Sequence, residues 1–287
     1  GVIGGVGWAC VSIPTVTAAV SGYFERMRGL AIGIAVSGAS GGQLPILSGL
    51  GILIAAIGWR ASYQVLALIV AALALLVLLW FKPPLAERGS SQPSEFDDAD
   101  TLGERLKFLV VNRTFLLLLG AFTLCGFTTA GVIDVYFIPY AMACGFTLVE
   151  GSAAYGAHGL GNLAGVILFS WMADHVHRPR LLAFMFFLRA LTFVLLLFIA
   201  VDISVMFTFA VIFGILNFAT FPVIANIVAT HIGVRIIELT LGLLFGGHSL
   251  GAAVGVSIGG WMFDLTAKYG WIWWLSVVLA TLAGMFA

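Results

Sequence analysis

The chain has 287 residues, 61% apolar and 9% charged, with a formal net charge of zero. By length alone it could hold about two soluble domains. A soluble fold needs near a quarter of its residues charged to cover its surface, so this composition excludes that class. The neutral balance gives no reason to expect a nucleic-acid partner. Cys10, Cys125 and Cys144 have neither metal-ligand spacing nor a disulfide framework, so no metal or cofactor is expected.

The chain opens on Gly1, inside an apolar, glycine-rich run, with no initiator Met and no signal-peptide pattern. This reads either as an artificial boundary or as a fragment of a longer gene product. A helix needs roughly 20 apolar residues to cross the hydrocarbon. Nine stretches meet that requirement: 1–24, 29–57, 61–81, 113–140, 152–173, 180–200, 204–230, 238–263 and 270–287. The second and third are joined only by Gly58-Trp59-Arg60, which must be a tight turn at one surface. After the third, Pro83-Pro84 stop the helix, and Ser90, Ser91 and the acidic stretch Glu95–Asp100 read as solvated linker. The expected division is therefore 1–81 (three helices), a loop over 82–112, and 113–287 (a six-helix bundle).

Successive connectors lie on alternate sides, so their charges orient the chain. One side collects ten cations: Arg26, Arg28, Lys82, Arg88, Arg105, Lys107, Arg113, Arg178, Arg180 and Arg235. The other collects only Arg60 and Lys268. The positive-inside bias puts the central loop in the cytoplasm and Gly1 outside. Nine spans starting outside is the layout of a six-plus-six bundle that lacks its first three.

Small residues four apart mark close helix contacts in lipid. They recur at Gly29, Gly33, Ser37 and Gly41, at Ala153, Ala157, Gly161 and Gly165, and at Gly247, Gly251, Gly255 and Gly259. Such stripes serve generic packing or interfaces between moving bundles.

Polar groups inside the spans are the candidate site. Arg189 lies about nine residues into its span, where an arginine costs about 2.5–3.5 kcal/mol on insertion scales. It is either an anion or coupling site, or an arginine tied to backbone carbonyls or a carboxylate. Asp134 lies nearer the outer surface. Its depth differs from that of Arg189 by roughly 12 Å at 1.5 Å per residue. His158 and Asn162, four apart, share a face, and Asn217 and His248 lie near the middle of their spans. Several helices thus bring polar groups to similar depths, the pattern of a central binding site, and a histidine could carry protons.

Three stretches resemble the major facilitator superfamily, in particular its monocarboxylate and oxalate/formate transporter-like branch. Tyr23-Phe24-Glu25-Arg26-Met27-Arg28-Gly29-Leu30-Ala31-Ile32-Gly33-Ile34-Ala35, followed by Gly58-Trp59-Arg60, is similar to the junction of helices four and five and the turn into helix six. Trp171-Met172-Ala173-Asp174-His175-Val176-His177-Arg178-Pro179-Arg180 resembles the short loop between helices eight and nine. Gly260-Trp261-Met262-Phe263-Asp264 with Lys268-Tyr269-Gly270-Trp271 looks like the close of helix eleven. The resemblance implies an all-α membrane protein with nine of twelve transmembrane helices, packed as a major facilitator-type bundle. It sets the second span beside the fifth, and makes Asp174, Arg178, Arg180, Arg26 and Arg28 a gating loop. It also makes the span carrying Arg189 a supporting helix.

The loop departs from the family pattern at Ser170, His175, His177 and Pro179. The Asp/Arg pair of proton-linked monocarboxylate carriers is missing, because Gly161 and Gly165, or their neighbours, occupy its positions. The function implied is secondary active transport of a small organic anion, such as a monocarboxylate, by alternating access. A coupling proton or an exchanged anion would accompany it, and no enzymatic step is involved. A multi-pass location in the plasma membrane, the inner membrane of a bacterium, follows. A drug or other small-molecule efflux carrier of the same superfamily is the alternative. The remote one is a rhomboid-like intramembrane serine protease, on Gly38-Ala39-Ser40-Gly41 and His248, whose serine and histidine stand too far apart. Nine spans are not expected to transport by themselves.

Overall fold

The computed structural model describes residues 41–80, 101–198, 202–233 and 236–287, together with Gly7 and Gly38. Among these residues every regular element is helical. The first expected span, 1–24, apart from Gly7, and the first part of the second, 29–40 apart from Gly38, lie outside the described residues.

Helix α1, Gln43–Trp80, runs through the expected second and third spans. Only Gly58 leaves the helical region, at φ 78 and ψ 162. The three-residue turn expected at 58–60 is therefore a single residue, in a conformation that glycine adopts without a Cβ penalty. The Ser62 hydroxyl donates to the Gly58 carbonyl at 2.7 Å, which satisfies one acceptor at the break. Contacts divide the chain into two units. The larger holds Gln43–Gly51 and residues 100–287; in the smaller, the continuous described stretch is Ile52–Trp80. From Val65 to Leu79 that stretch is apolar on every face, as a lipid-immersed helix is.

In the larger unit α2, Leu102–Val111, replaces what was expected to be the end of a loop. Thr101 and Glu104 form a capping box around its first turn, which offsets the orphan N–H groups of a helix start. Asn112 ends α2 and caps α3, Arg113–Gly126, by accepting from Phe115 N–H at 3.0 Å. A π-helical segment, Phe127–Ile133, then leads into α4, Asp134–Ala143. The expected fourth span is thus one long crossing with a wide turn in its middle, a form frequent at functional sites.

Helix α5, Leu148–His175, starts on a second capping box, Thr147 with Glu150. The Thr147 N–H and hydroxyl hydrogen-bond this carboxylate and hold it below the usual glutamate range. Only Val176 and His177 separate α5 from α6, Arg178–Leu196, where Pro179 sits in the first turn and needs no N–H partner. The expected seventh span is broken. It comprises α7, Ile203–Asn217, and α8, Thr220–His231, with Phe218-Ala219 between them. The chain ends with α9, Ile237–Thr266, and α10, Gly270–Phe286.

Among the described residues five helical stretches are long and apolar enough to cross a membrane: Gln43–Leu79, Arg113–Ala143, Arg178–Leu196, Ile203–His231 and Leu239–Thr266. Helix α5, about 42 Å long at 1.5 Å per residue, is diluted by its own polar residues. α10 is apolar but shorter. The protein is a multi-pass, all-α membrane protein. Within the larger unit α5 packs along α7, α6 along α10, and α9 along α3 and the π segment.

The glycines explain two of these crossings. A Cβ on Gly251 would overlap the Thr123 carbonyl of α3, and Gly255 and Gly259 continue the same contact along the π segment and α4. Gly161 and Gly165 bring α5 against the α7 backbone at Val211 and Ile215. The stripe on α5 therefore faces α7, where the resemblance had set the second span. The start of α1 meets α5 elsewhere: a Cβ on Gly51 would fall 2.6 Å from Ser152, and one on Gly156 would fall 2.9 Å from Leu44 Cα. Positions 156 and 161 differ by about 140° around a helix of 3.6 residues per turn, so α5 has two small-residue faces.

Candidate functional site

Two apolar clusters fill the larger unit. One includes Phe122, Leu182, Phe186 and Val223; the other includes Phe137, Phe193, Phe209 and Trp273. Where they meet, four crossings contribute buried polar side chains: Thr128 and Thr129, His158 and Asn162, Arg189 and Thr192, and Asn217 and Thr220. They form a polar layer inside the bundle, and its cause is the break in the seventh span. A helix end leaves carbonyls and N–H groups without intrahelical partners. In hydrocarbon, water is not available to satisfy them.

Arg189 supplies one half of that satisfaction. It is fully buried on α6, and its Nη2 donates to the Leu216 and Asn217 carbonyls at 2.5 and 3.2 Å. These are the last carbonyls of α7, where a cation also suits the helix dipole. Nη1 donates to the Cys125 sulfur at 2.8 Å, and the guanidinium lies over the Phe186 and Phe213 rings at 5.3 and 5.7 Å. Among the described residues its Nε has no hydrogen-bond partner. Asn162 supplies the other half: its Oδ1 accepts from Phe218 N–H at 3.2 Å, inside the break. The Thr220 hydroxyl closes the turn onto the Asn217 carbonyl at 2.9 Å.

That bond fixes the Asn162 amide. Its Nδ2 then points at His158 Nδ1 (3.4 Å) and at Gln43 Oε1 (3.4 Å). His158 thus stands between two carboxamide nitrogens, Asn162 Nδ2 at its Nδ1 (3.4 Å) and Asn217 Nδ2 at its Nε2 (3.3 Å). On the other side the Tyr155 ring stacks on His158, with centroids 5.1 Å apart and 6° between planes. The Tyr155 hydroxyl donates to Asp134 Oδ1 at 2.5 Å. His248 on α9 packs its ring on Phe122 at 4.7 Å, with Nε2 3.4 Å from the Thr129 hydroxyl. That hydroxyl already donates to the Cys125 carbonyl at 2.7 Å, so towards His248 it accepts.

Asp134, His158, Asn162, Asn217 and Arg189 are thus linked by contact, and His248 joins at Cys125 and Thr129. Asp134 and Arg189 each have their own partners and do not pair. Of the six intramembrane candidates Asp134 is exposed and His248 half-buried, while the other four are buried. Tyr155, Cys125, Thr129 and Gln43 also belong to the network. Tyr155 stands one turn before His158, and Cys125 and Thr129 are four apart, a helical spacing visible in the sequence. Of the gating residues, Arg178 donates from Nε to the Ala173 carbonyl at 3.2 Å, and Arg180 is exposed in the first turn of α6. Arg26, Arg28 and Ser40 lie outside the described residues, and of Asp174 only the backbone, in the last turn of α5, is described. Among the described residues no group of three or more His, Cys, Asp or Glu side chains gathers to hold a metal.

A helix broken at mid-membrane and re-satisfied by side chains is a transporter device, and the comparisons with known proteins agree. A sequence model of the Major Facilitator Superfamily matches residues 1–237 and again 152–287. The chain belongs to this superfamily. A match in two overlapping windows suits a fold built from related bundles. The uncharacterized MFS-type transporter YcxA of Bacillus subtilis is 28% identical over 276 residues, 94% of this chain and 66% of that protein. Monocarboxylate transporter 12 of Xenopus laevis is 26% identical over 289 residues, 94% of this chain and 62% of the relative. Monocarboxylate transporter 11 of Homo sapiens is 29% identical over 197 residues, 64% of this chain and 38% of the relative. The superfamily chain thus spans less than two thirds of the length of these relatives.

Proposed function

We propose that this chain is the greater part of a secondary active transporter that moves a small organic anion, of the monocarboxylate class, by alternating access. Superfamily membership supports the transport, and the printed names of several relatives support the substrate class. The observation that carries the site is the polar layer built on the broken seventh span. In this reading residues 1–81 belong to one bundle, 113–287 form the other, and 82–112 link them in the cytoplasm. The gating loop is Asp174, Arg178 and Arg180 with Arg26 and Arg28. The membrane is the plasma membrane, the inner membrane in a bacterium.

Asp134 and His248 are the accessible members of the layer, so they face the substrate or a coupling proton. His158, Asn162, Asn217 and Arg189 stand behind them and hold the backbone. Asp134→Asn keeps an acceptor for Tyr155 but removes the charge. In the full-length natural chain containing these residues, counterflow in proteoliposomes with a panel of labelled organic acids should fall at least tenfold in Asp134→Asn. The thermal unfolding midpoint should stay unchanged. Normal counterflow by both Asp134→Asn and His248→Gln would sink the site; no counterflow with any organic acid by the unaltered protein would sink the substrate class.

A further inference from the structure

We propose that α2 and the first turn of α3 form a docking site for an anionic phospholipid. Its acyl chains lie against Phe108 and Val111, and its phosphate sits between Lys107 and Arg113.

Helix α2 is ten residues long, yet Leu102, Phe108, Val110 and Val111 are between 51% and 77% exposed. Apolar side chains this open on one short helix need an apolar neighbour. Leu109 turns inward and anchors the helix to the unit, so the opposite side is the free one. Asn112 is both the last cap of α2 and the first cap of α3, so α2 ends at the level where α3 enters the membrane. A helix so placed lies in the bilayer interface with its apolar side chains among the acyl chains.

The charges select the lipid. A crevice of about 510 Å³ is lined by Glu104, Lys107, Phe108, Val111 and Asn112. The Glu104 carboxylate is turned toward its own helix start, where Oε2 accepts from the Thr101 N–H at 2.9 Å. Lys107, in that lining, and Arg113, next in the chain to the lining residue Asn112, are both exposed. Segment 101–113 contains Glu104 against Arg105, Lys107 and Arg113, a net charge of +2. It lies on the side that collects ten of the twelve connector cations, where anionic lipid concentrates. Basic groups beside exposed apolar ones match a phosphate above acyl chains. Neither a soluble peptide nor free phosphate needs both.

The inference is independent of what is transported and is tested without transport. The full chain, with Cys10→Ser, Cys144→Ser and buried Cys125 left in place, carries an environment-sensitive fluorophore at Val111→Cys. It is placed in nanodiscs of equal parts phosphatidylcholine and phosphatidylglycerol, in which one or the other lipid is brominated. Quenching should occur in both, at least twofold stronger with phosphatidylglycerol. Lys107→Gln with Arg113→Gln should abolish that difference and leave the phosphatidylcholine quenching intact. No quenching in either lipid means the surface faces water or protein, and overturns the site. Equal quenching by the two lipids in the unaltered chain, or a difference that survives the double substitution, also overturns it.

Discussion

Arg189 is a buried arginine whose described hydrogen-bond acceptors are a thiol and two carbonyls, all on the larger unit. Its position inside a span was plain from the sequence, as was the need for a partner. The partner was not, because the acceptors are backbone carbonyls 27 and 28 residues away that exist only where α7 stops. Removing the guanidinium leaves two carbonyls buried and unpaired, each worth about 1–3 kcal/mol. Arg189→Leu should therefore lower the thermal unfolding midpoint of the detergent-solubilised protein by several degrees. Arg189→Lys should recover only part, since one ammonium does not reproduce the planar fork. A wild-type midpoint in Arg189→Leu would show that the break in the seventh span is held by something else. Asn162 is the same lesson in a neutral residue: its kinship with His158 followed from spacing, and its bond to Phe218 N–H did not.

At the scale of elements, the glycine stripes were legible and their addresses were only half so. Four-residue spacing says that a helix is approached closely, not by which neighbour. On α9 all four stripe glycines meet one crossing, α3 through α4. On α5 the small residues divide between α7 and the start of α1. Gly251→Val should overpack the α9–α3 contact and destabilise by about 1–3 kcal/mol, read as a lower midpoint or as proteolysis of the solubilised protein. Gly246→Ala, on the same helix with no atom within 4 Å of the new methyl, should leave the midpoint unchanged or slightly raised. If the two behave alike, the stripe is not a close contact. The π segment was not legible, because the run around it is as apolar as that of an uninterrupted helix. The α7–α8 break does have a mark: Pro222 offers no N–H to the Phe218 carbonyl four residues before it, so the helix is interrupted there.

For the whole molecule, membership of the superfamily fixes an all-α bundle in the membrane, and the charge bias gives the orientation to test. Lys107→Cys should react with a membrane-impermeant maleimide only in permeabilised cells, and Lys268→Cys should react in intact ones, with Cys144 replaced in both. Labelling of the two in the opposite order would invert the topology.

Composition and run length settled by themselves that this chain lives in a bilayer. Those are sums over many residues, and no packing detail changes the cost of putting 61% apolar side chains in water. Motif spacing named the family, and single polar residues in apolar runs named most of the buried layer. Only the tertiary structure decided who serves whom: that Arg189 and Asn162 hold a broken helix while Asp134 and His248 stay open. Those roles depend on acceptors and donors that a backbone exposes only when it stops being helical; Pro222 marks the stop, but not which side chains from other helices reach it.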